Sequence, residues 1–144
     1  MRVFLDAHCL YSALRSPSGA SGRVLELAQC GFVTIAFTEQ VLNEVSRNVH
    51  KKEGAEASRR LSLTLALCDR EIVENPSSEE EEPWREITVE KDLHVLAGAM
   101  KANAHYLISL DKKHIVNAQV KNSFPIPIVT PGEFITAMDL HNVP

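Results

Sequence analysis

Short apolar runs alternate along this chain with longer stretches in which apolar residues recur every third or fourth position. That alternation predicts strands separated by helices. Val3-Phe4-Leu5 is a buried strand that ends on Asp6, and residues 7–14 continue as a helix broken at Ser16-Pro17-Ser18-Gly19. Ser21 reads as the N-cap of a helix through Cys30, with Val24, Leu25, Leu27 and Ala28 as its apolar face and Gly31 as its stop. Residues 32–37 read as the second strand, and Thr38 as the N-cap of a helix carrying Val41, Leu42 and Val45 inward, with Glu39 and Glu44 on it. A further helix is predicted over 55–68, with Leu61, Leu63, Leu65 and Leu67 as its apolar mass, then a strand at Ile72-Val73. Residues 75–83, polar, acidic and bracketed by prolines, read as a loop. The pattern returns to helix over 91–103 with Leu93, Leu96, Ala97 and Met100 along one side. Residues 106–110 form the strongest strand signal and again end on an aspartate, Asp111. A short helix, an edge strand at 126–129 and a last helix opened by Thr130-Pro131 complete the chain.

Strands alternating with helices predict a three-layer α/β/α sandwich around a mainly parallel central sheet. The 144 residues suit a single domain spanning 1–144, and the 44% hydrophobic content supplies its core. Fifteen basic against 19 acidic residues, net charge -4, exclude a simple basic nucleic-acid module. The run Glu79 to Glu82 carries that excess, because without its four acids 15 remain against 15 bases. The three cysteines, Cys9, Cys30 and Cys68, are widely spaced and form no CxxC pair, which argues against a disulfide framework and a cysteine-rich zinc site. With no signal-like or membrane-spanning stretch, the expectation is a cytoplasmic protein with no membrane association.

The chemistry lies in the acids. Ligands of open parallel sheets gather beyond the carboxyl ends of the strands, and Asp6 and Asp111 both fall there. Glu44 lies on the helix after strand two, and Asp92 in the first turn of the helix that precedes the Asp111 strand. Taken singly, Asp6 and Asp111 can be helix caps, Glu44 a solvated helix residue and Asp92 a charge favoured by the helix dipole. Together, four carboxylates from distant positions could converge at one edge of the sheet. Like charges that close repel by roughly a kcal/mol or more per pair at intermediate dielectric, so such a site calls for a cation. An all-oxygen donor set suits a hard divalent ion, Mg²⁺ or Mn²⁺.

The stretches MRVFLDAHCLYSAL, FTEQVLNEV, KDLHVLAGAMKANAHYLISLDKKHI and IVTPGEF, in this order, resemble a PIN domain from end to end, in the style of the stand-alone, toxin-like PIN proteins of prokaryotes. The resemblance implies a metal-dependent ribonuclease with Asp6, Glu44, Asp92 and Asp111 as catalytic acids. Asp6, Asp92 and Asp111 would be the main metal ligands, and Glu44 would join them or orient the attacking water. It implies products with a 5′-phosphate and a 3′-hydroxyl, a homodimer, and, if the protein is a toxin, an antitoxin as a separate chain. Two positions depart from the family's pattern. Ala7-His8 stands where the family commonly has Thr-Asn after the first aspartate, and His114 stands where a further acid often lies. These departures favour the alternative of a catalytically weak PIN fold that binds RNA or protein.

RNA approaching an acidic pocket needs flanking cations. Arg47, His50, Lys51, Lys52, Arg59 and Arg60 cluster around one helix end and its neighbour, and Lys112, Lys113 and His114 follow Asp111. Of these, Arg47, Lys51, Lys52, Lys112, Lys113 and His114 are the candidate RNA contacts. Without the glutamate run and the four site acids, 11 acids face 15 bases, a mildly cationic remainder. His8, His94 and His105 lack zinc-site spacing, and Cys9 and Cys68 read as buried apolar groups. Trp84 reads as closing over the core or joining a dimer surface.

Overall fold

The computed structural model describes residues 1–142. Its five strands are β1 (Arg2–Leu5), β2 (Thr34–Thr38), β3 (Arg70–Val73), β4 (Tyr106–Ile108) and β5 (Ile128–Val129). They form one sheet in the order β3-β2-β1-β4-β5, and every pairing is parallel. The eight helices of the described residues are α1 (Ala7–Arg15), α2 (Ala20–Gln29), α3 (Glu39–Glu53), α4 (Ala55–Ala66), α5 (Ser78–Glu81), α6 (Leu93–Lys101), α7 (Ala118–Ser123) and α8 (Pro131–Asn142). The crossovers from β1 to β3 carry α1 to α4, which right-handed connection would set on one face of the sheet, and there α1 packs on α2 and α3, and α3 on α4. Beyond β3 the winding reverses, and α6 covers the other face against β2 and β4. The three-layer α/β/α sandwich is therefore the observed architecture. No helix among the described residues is long and apolar enough to cross a membrane.

The central strands are buried on both faces: Val3, Phe4, Ile35, Ala36, Phe37, Leu107 and Ile108 are fully enclosed. This is why they read as continuous apolar runs rather than as alternating ones. The reversal of winding direction falls between β1 and β4, which are hydrogen-bonded neighbours. That switch point opens a crevice beyond the two strand ends, where Asp6 and Asp111 emerge.

One close approach sets the height of α6 over the sheet. A Cβ on Gly98 would lie 2.8 Å from Phe4 Cζ and 2.9 Å from Thr38 Cγ2, both inside the core. Gly98→Ala should therefore push α6 outward and cost about 1–3 kcal/mol, as overpacking of a filled core does. Urea denaturation measures this, and an unchanged midpoint would show that α6 has slack.

Several local expectations are corrected. The N-cap of α2 is Gly19 rather than Ser21, which is buried inside the first turn. The Ser16–Gly19 turn, closed by Gly19 N–H to Ser16 O at 2.9 Å, already sets the start of the helix. Gly31 does end this segment, with a left-handed φ of 79°. The second strand begins at Thr34, leaving Phe32 exposed. Of the four leucines expected to supply apolar mass here, Leu61 and Leu65 are buried in α4, whereas Leu63 and Leu67, the latter just past the helix end, face outward. Leucines two positions apart point about 200° apart on a helix and cannot share one face.

The acidic segment is not a plain loop. Ser77 and Glu80 form a reciprocal capping box (Ser77 N–H to Glu80 Oε1, 2.9 Å; Glu80 N–H to Ser77 Oγ, 3.2 Å) that starts α5. Glu80 also pairs with Lys101 of α6 at 3.0 Å. Trp84 packs edge-on against Phe124, with ring centroids 5.0 Å apart, and closes this side of the core. The strand before Asp111 stops at Ile108, and the region 112–117 is made of turns, with helix only from Ala118.

Candidate active site

Asp6 sits one residue past β1 and is buried. Its Oδ1 accepts the Cys9 N–H at 2.9 Å and so caps α1, while its Oδ2 accepts the Ser109 hydroxyl proton. Ser109, fully buried just past β4, accepts the Asp111 N–H at 3.0 Å on the same hydroxyl. One serine thus ties the tips of the two central strands together and fixes the two aspartates relative to each other. Asp111 Oδ1 accepts the N–H groups of Lys113 (3.1 Å) and His114 (2.9 Å), which organises the turn that follows. The capping explanation holds for one oxygen of Asp6, whereas the Asp111 oxygen closes a turn with no helix directly after it.

Asp92 differs. It ends a 3₁₀ turn, Glu90–Asp92, and occupies the N-cap position of α6 rather than the helix's first turn. Its side chain makes no capping hydrogen bond, and its Oδ2 is buried with no partner. A buried carboxylate oxygen without a donor is costly. Burial first, and the Asp111 carboxylate second, raise the Asp92 carboxyl from 3.8 to about 6, with Lys91 and His114 pulling the other way. The fold's own hydrogen bonding leaves this oxygen unused.

Glu44 projects from the middle of α3 to the same place, where its Oε1 lies 3.3 Å from His94 Nε2. Asp6, Glu44, Asp92 and Asp111, together with Lys91 and His94, line one cavity of about 230 Å³ at the switch point. The four acids singled out in the sequence are brought together. Among the described residues no group of three or more His, Cys, Asp and Glu side chains stands arranged to hold a metal ion. The donor set is open: carboxylate oxygens, one of them orphaned, with room for water. That chemistry fits Mg²⁺ or Mn²⁺, which bind through a few carboxylates and keep several waters.

The other predicted residues are placed less uniformly. Ala7 and His8 line the cavity, Ala7 buried and His8 exposed. Glu44, Arg47 and Lys51 fall at helical spacing on α3, and Arg47 lines a separate polar groove with Gln40, Asn43 and Asn75. Lys52 turns to the Tyr11 ring, with its Nζ 5.5 Å from the centroid. Lys112 and Lys113 are exposed on the turn after Asp111, and His114 is half-buried, lining with Lys113 a cleft beside 86–89. The cations thus lie on the elements that carry Glu44 and Asp111, the α3 stripe and the β4 turn, while Lys91 alone of the Lys and Arg residues lines the acidic cavity itself. His105 has a structural task, accepting the Arg2 N–H on Nδ1 at 3.0 Å. Cys9 and Cys68 are buried, and burial raises both thiols, Cys68 to about 11.

Ser109, Lys91 and His94 are site residues that the sequence pattern alone does not assign. Ser109 carries a usable signal, a hydroxyl two residues before a strand-end aspartate in an otherwise apolar run. His94 has its spacing in view, two residues after Asp92, but only the fold shows Glu44 opposite it.

A parallel sheet with acids gathered at its switch point defines an α/β/α architecture whose polar cavity lies beyond the strand ends. The family model described as PIN domain matches residues 2–113, and the chain belongs to the PIN domain family. Solved structures agree on the fold. VapBC2 of Rickettsia felis, bound to a DNA fragment from its promoter, aligns with a TM-score of 0.63 at 22% identity, over 90% of this chain and 97% of that one. PAE2754 of Pyrobaculum aerophilum gives 0.62 at 15% identity, over 96% and 90%. VapC20 of Mycobacterium tuberculosis, a sarcin-ricin loop cleaving toxin, gives 0.56 at 13% identity, over 77% and 91%. No curated protein sequence matches this chain.

Proposed function

We propose that this protein is a Mg²⁺- or Mn²⁺-dependent endoribonuclease that hydrolyses RNA phosphodiester bonds. Asp6, Asp92 and Asp111 are its metal ligands, and Glu44 is the fourth catalytic acid. The observation that carries this reading is the meeting of four carboxylates at one cavity, among them Asp92 with a buried, unpartnered oxygen. Membership of the PIN domain family supports it, as does the likeness in fold to a toxin that cleaves RNA. The same reading makes the protein a cytoplasmic, homodimeric toxin with a separate antitoxin chain, in keeping with the VapBC2 likeness.

When bound, the divalent ion supplies Lewis-acid neutralisation of the scissile phosphate and activation of water at neutral pH. The chain's own groups do the rest. Ser109 holds Asp6 and Asp111 in fixed relation, so their charges need not reorganise as the phosphate reacts. Glu44 is placed to orient water or join the ligand set. The cations of α3 and of the β4 turn offer the RNA backbone its contacts.

The alternative, a PIN fold that binds RNA or protein with little catalysis, draws on Ala7 in the cavity wall and on the open donor set. Incubating the purified protein with mixed RNAs separates the two. Cleavage that needs Mn²⁺ and stops with a chelator is the expected result, and RNA retained intact in Mn²⁺ favours the binding module.

The flanking cations make a separate prediction. Lys51→Glu, Lys52→Glu, Lys112→Glu and Lys113→Glu combined should weaken binding of single-stranded RNA about ten-fold or more. The salt slope should flatten by about 0.7 for each phosphate that is no longer neutralised. Filter binding across a salt series measures both, and an unchanged affinity and slope would mean that RNA approaches from another side.

A further inference from the structure

We propose that His94 is the positioning residue of this site: a buried imidazole whose Nε2 edge stands against Glu44 and so holds that carboxylate over the ion cavity. The ring of His94 is 6% exposed, and its Nε2 lies 3.3 Å from Glu44 Oε1. Its other nitrogen, Nδ1, is buried with no partner. A second proton on Nδ1 would be a buried donor with no acceptor, so the geometry selects the neutral Nε2–H tautomer.

Glu44 needs such a partner. It stands mid-helix on α3 with its side chain 34% exposed, on a flexible stem that would otherwise sample several rotamers. His94 is locked by the packing of α6 and lies two residues from Asp92. One helix start therefore presents the orphaned Asp92 oxygen and fixes where the acid from the other half of the sheet sits. The contact is made at Oε1 and leaves Oε2 as the oxygen available to a ligand or to water. The His94–Glu44 pair is a contact between α3 and α6 across the cavity, and a group that orients a ligating or water-directing acid usually matters about 10- to 100-fold.

This inference rests on the nuclease reading only for its activity arm. His94→Phe keeps the ring and removes the donor, and His94→Gln keeps an N–H at about the reach of Nε2. Expected for His94→Phe is a kcat on single-stranded RNA lowered about 10- to 100-fold, with KM near wild type. His94→Gln should recover most of that loss, and His94→Phe added to Glu44→Ala should cost little more than Glu44→Ala alone. The second arm uses Mn²⁺ alone: the rise in melting temperature that it causes should shrink in His94→Phe and return in His94→Gln. Should His94→Phe fail to fold, His94→Asn takes its place, because its amide is too short to reach Glu44. If wild type cleaves no RNA, the nuclease reading fails and the Mn²⁺ arm alone decides. The proposal is overturned if His94→Phe matches wild type in both arms, or if His94→Gln, folded, is no better than His94→Phe.

Discussion

Asp6→Asn should lower Mn²⁺-dependent RNA cleavage by about 1,000-fold, the rate equivalent of about 4 kcal/mol of lost transition-state stabilisation. The melting temperature should barely move. The contrast follows from the two tasks of this side chain. Its Oδ1 caps α1 by accepting the Cys9 N–H, and an asparagine oxygen performs that task equally well. Its Oδ2 accepts from Ser109, and a new amide N–H can instead donate to that hydroxyl, which rotates to suit. What disappears is one negative charge beside Asp92 and Asp111. Cleavage rate and thermal melting, measured together on the same preparation, check the prediction. Equal loss of both would mean that Asp6 is a cap and nothing more, and retained cleavage would remove it from the catalytic acids.

Asp92→Asn should do the opposite to stability. With its carboxyl raised from 3.8 to about 6, the folded protein holds this proton more tightly than the unfolded chain does. Stability from this group is therefore fully present below about pH 4 and is lost as pH rises through about 6. A raise of that size has a ceiling of about 3 kcal/mol, and solvent screening of a half-exposed carboxyl brings it to about 1 kcal/mol. Metal-free wild type should thus gain stability on going from pH 7 to pH 5. Asp92→Asn should lack that slope and be the more stable of the two at pH 7. Saturating Mn²⁺ should reverse the order at pH 7, because the ion binds the native acid and has less to bind in the amide. Urea titrations at pH 5, 6 and 7, with and without Mn²⁺, measure all of this. Parallel pH profiles for the two proteins would mean that the Asp92 carboxyl is solvated.

The strands are legible in the sequence because β1, β2 and β4 are buried on both faces and so carry unbroken apolar runs, each followed by a polar residue. Asp6, Asp92 and Asp111 stand out as acids placed at the ends of such elements, and their order along the chain carries the resemblance to the family. Glu44 is legible only through that resemblance, since a lone acid on an amphipathic helix is usually solvated. Pairwise contacts set by tertiary packing are not legible. The Glu44–His94 contact joins residues fifty positions apart, and the Ser109 bridge depends on β1 and β4 being neighbours. The helix at Ser78–Glu81 escapes the sequence pattern for another reason. Prolines on both sides suggest a loop, whereas the Ser77–Glu80 capping box and the Lys101 pair stabilise one helical turn between them.

If four carboxylates from separate elements share one divalent ion, crystals grown with Mn²⁺ will reveal it through the anomalous scattering of the metal. The expected result is a peak in the cavity between Asp6, Asp92 and Asp111, near Glu44, with waters completing the coordination, and its loss in Asp92→Asn. A fully Mn²⁺-exposed crystal with no peak there, or with its only strong peak at another surface, would contradict the shared-ion site.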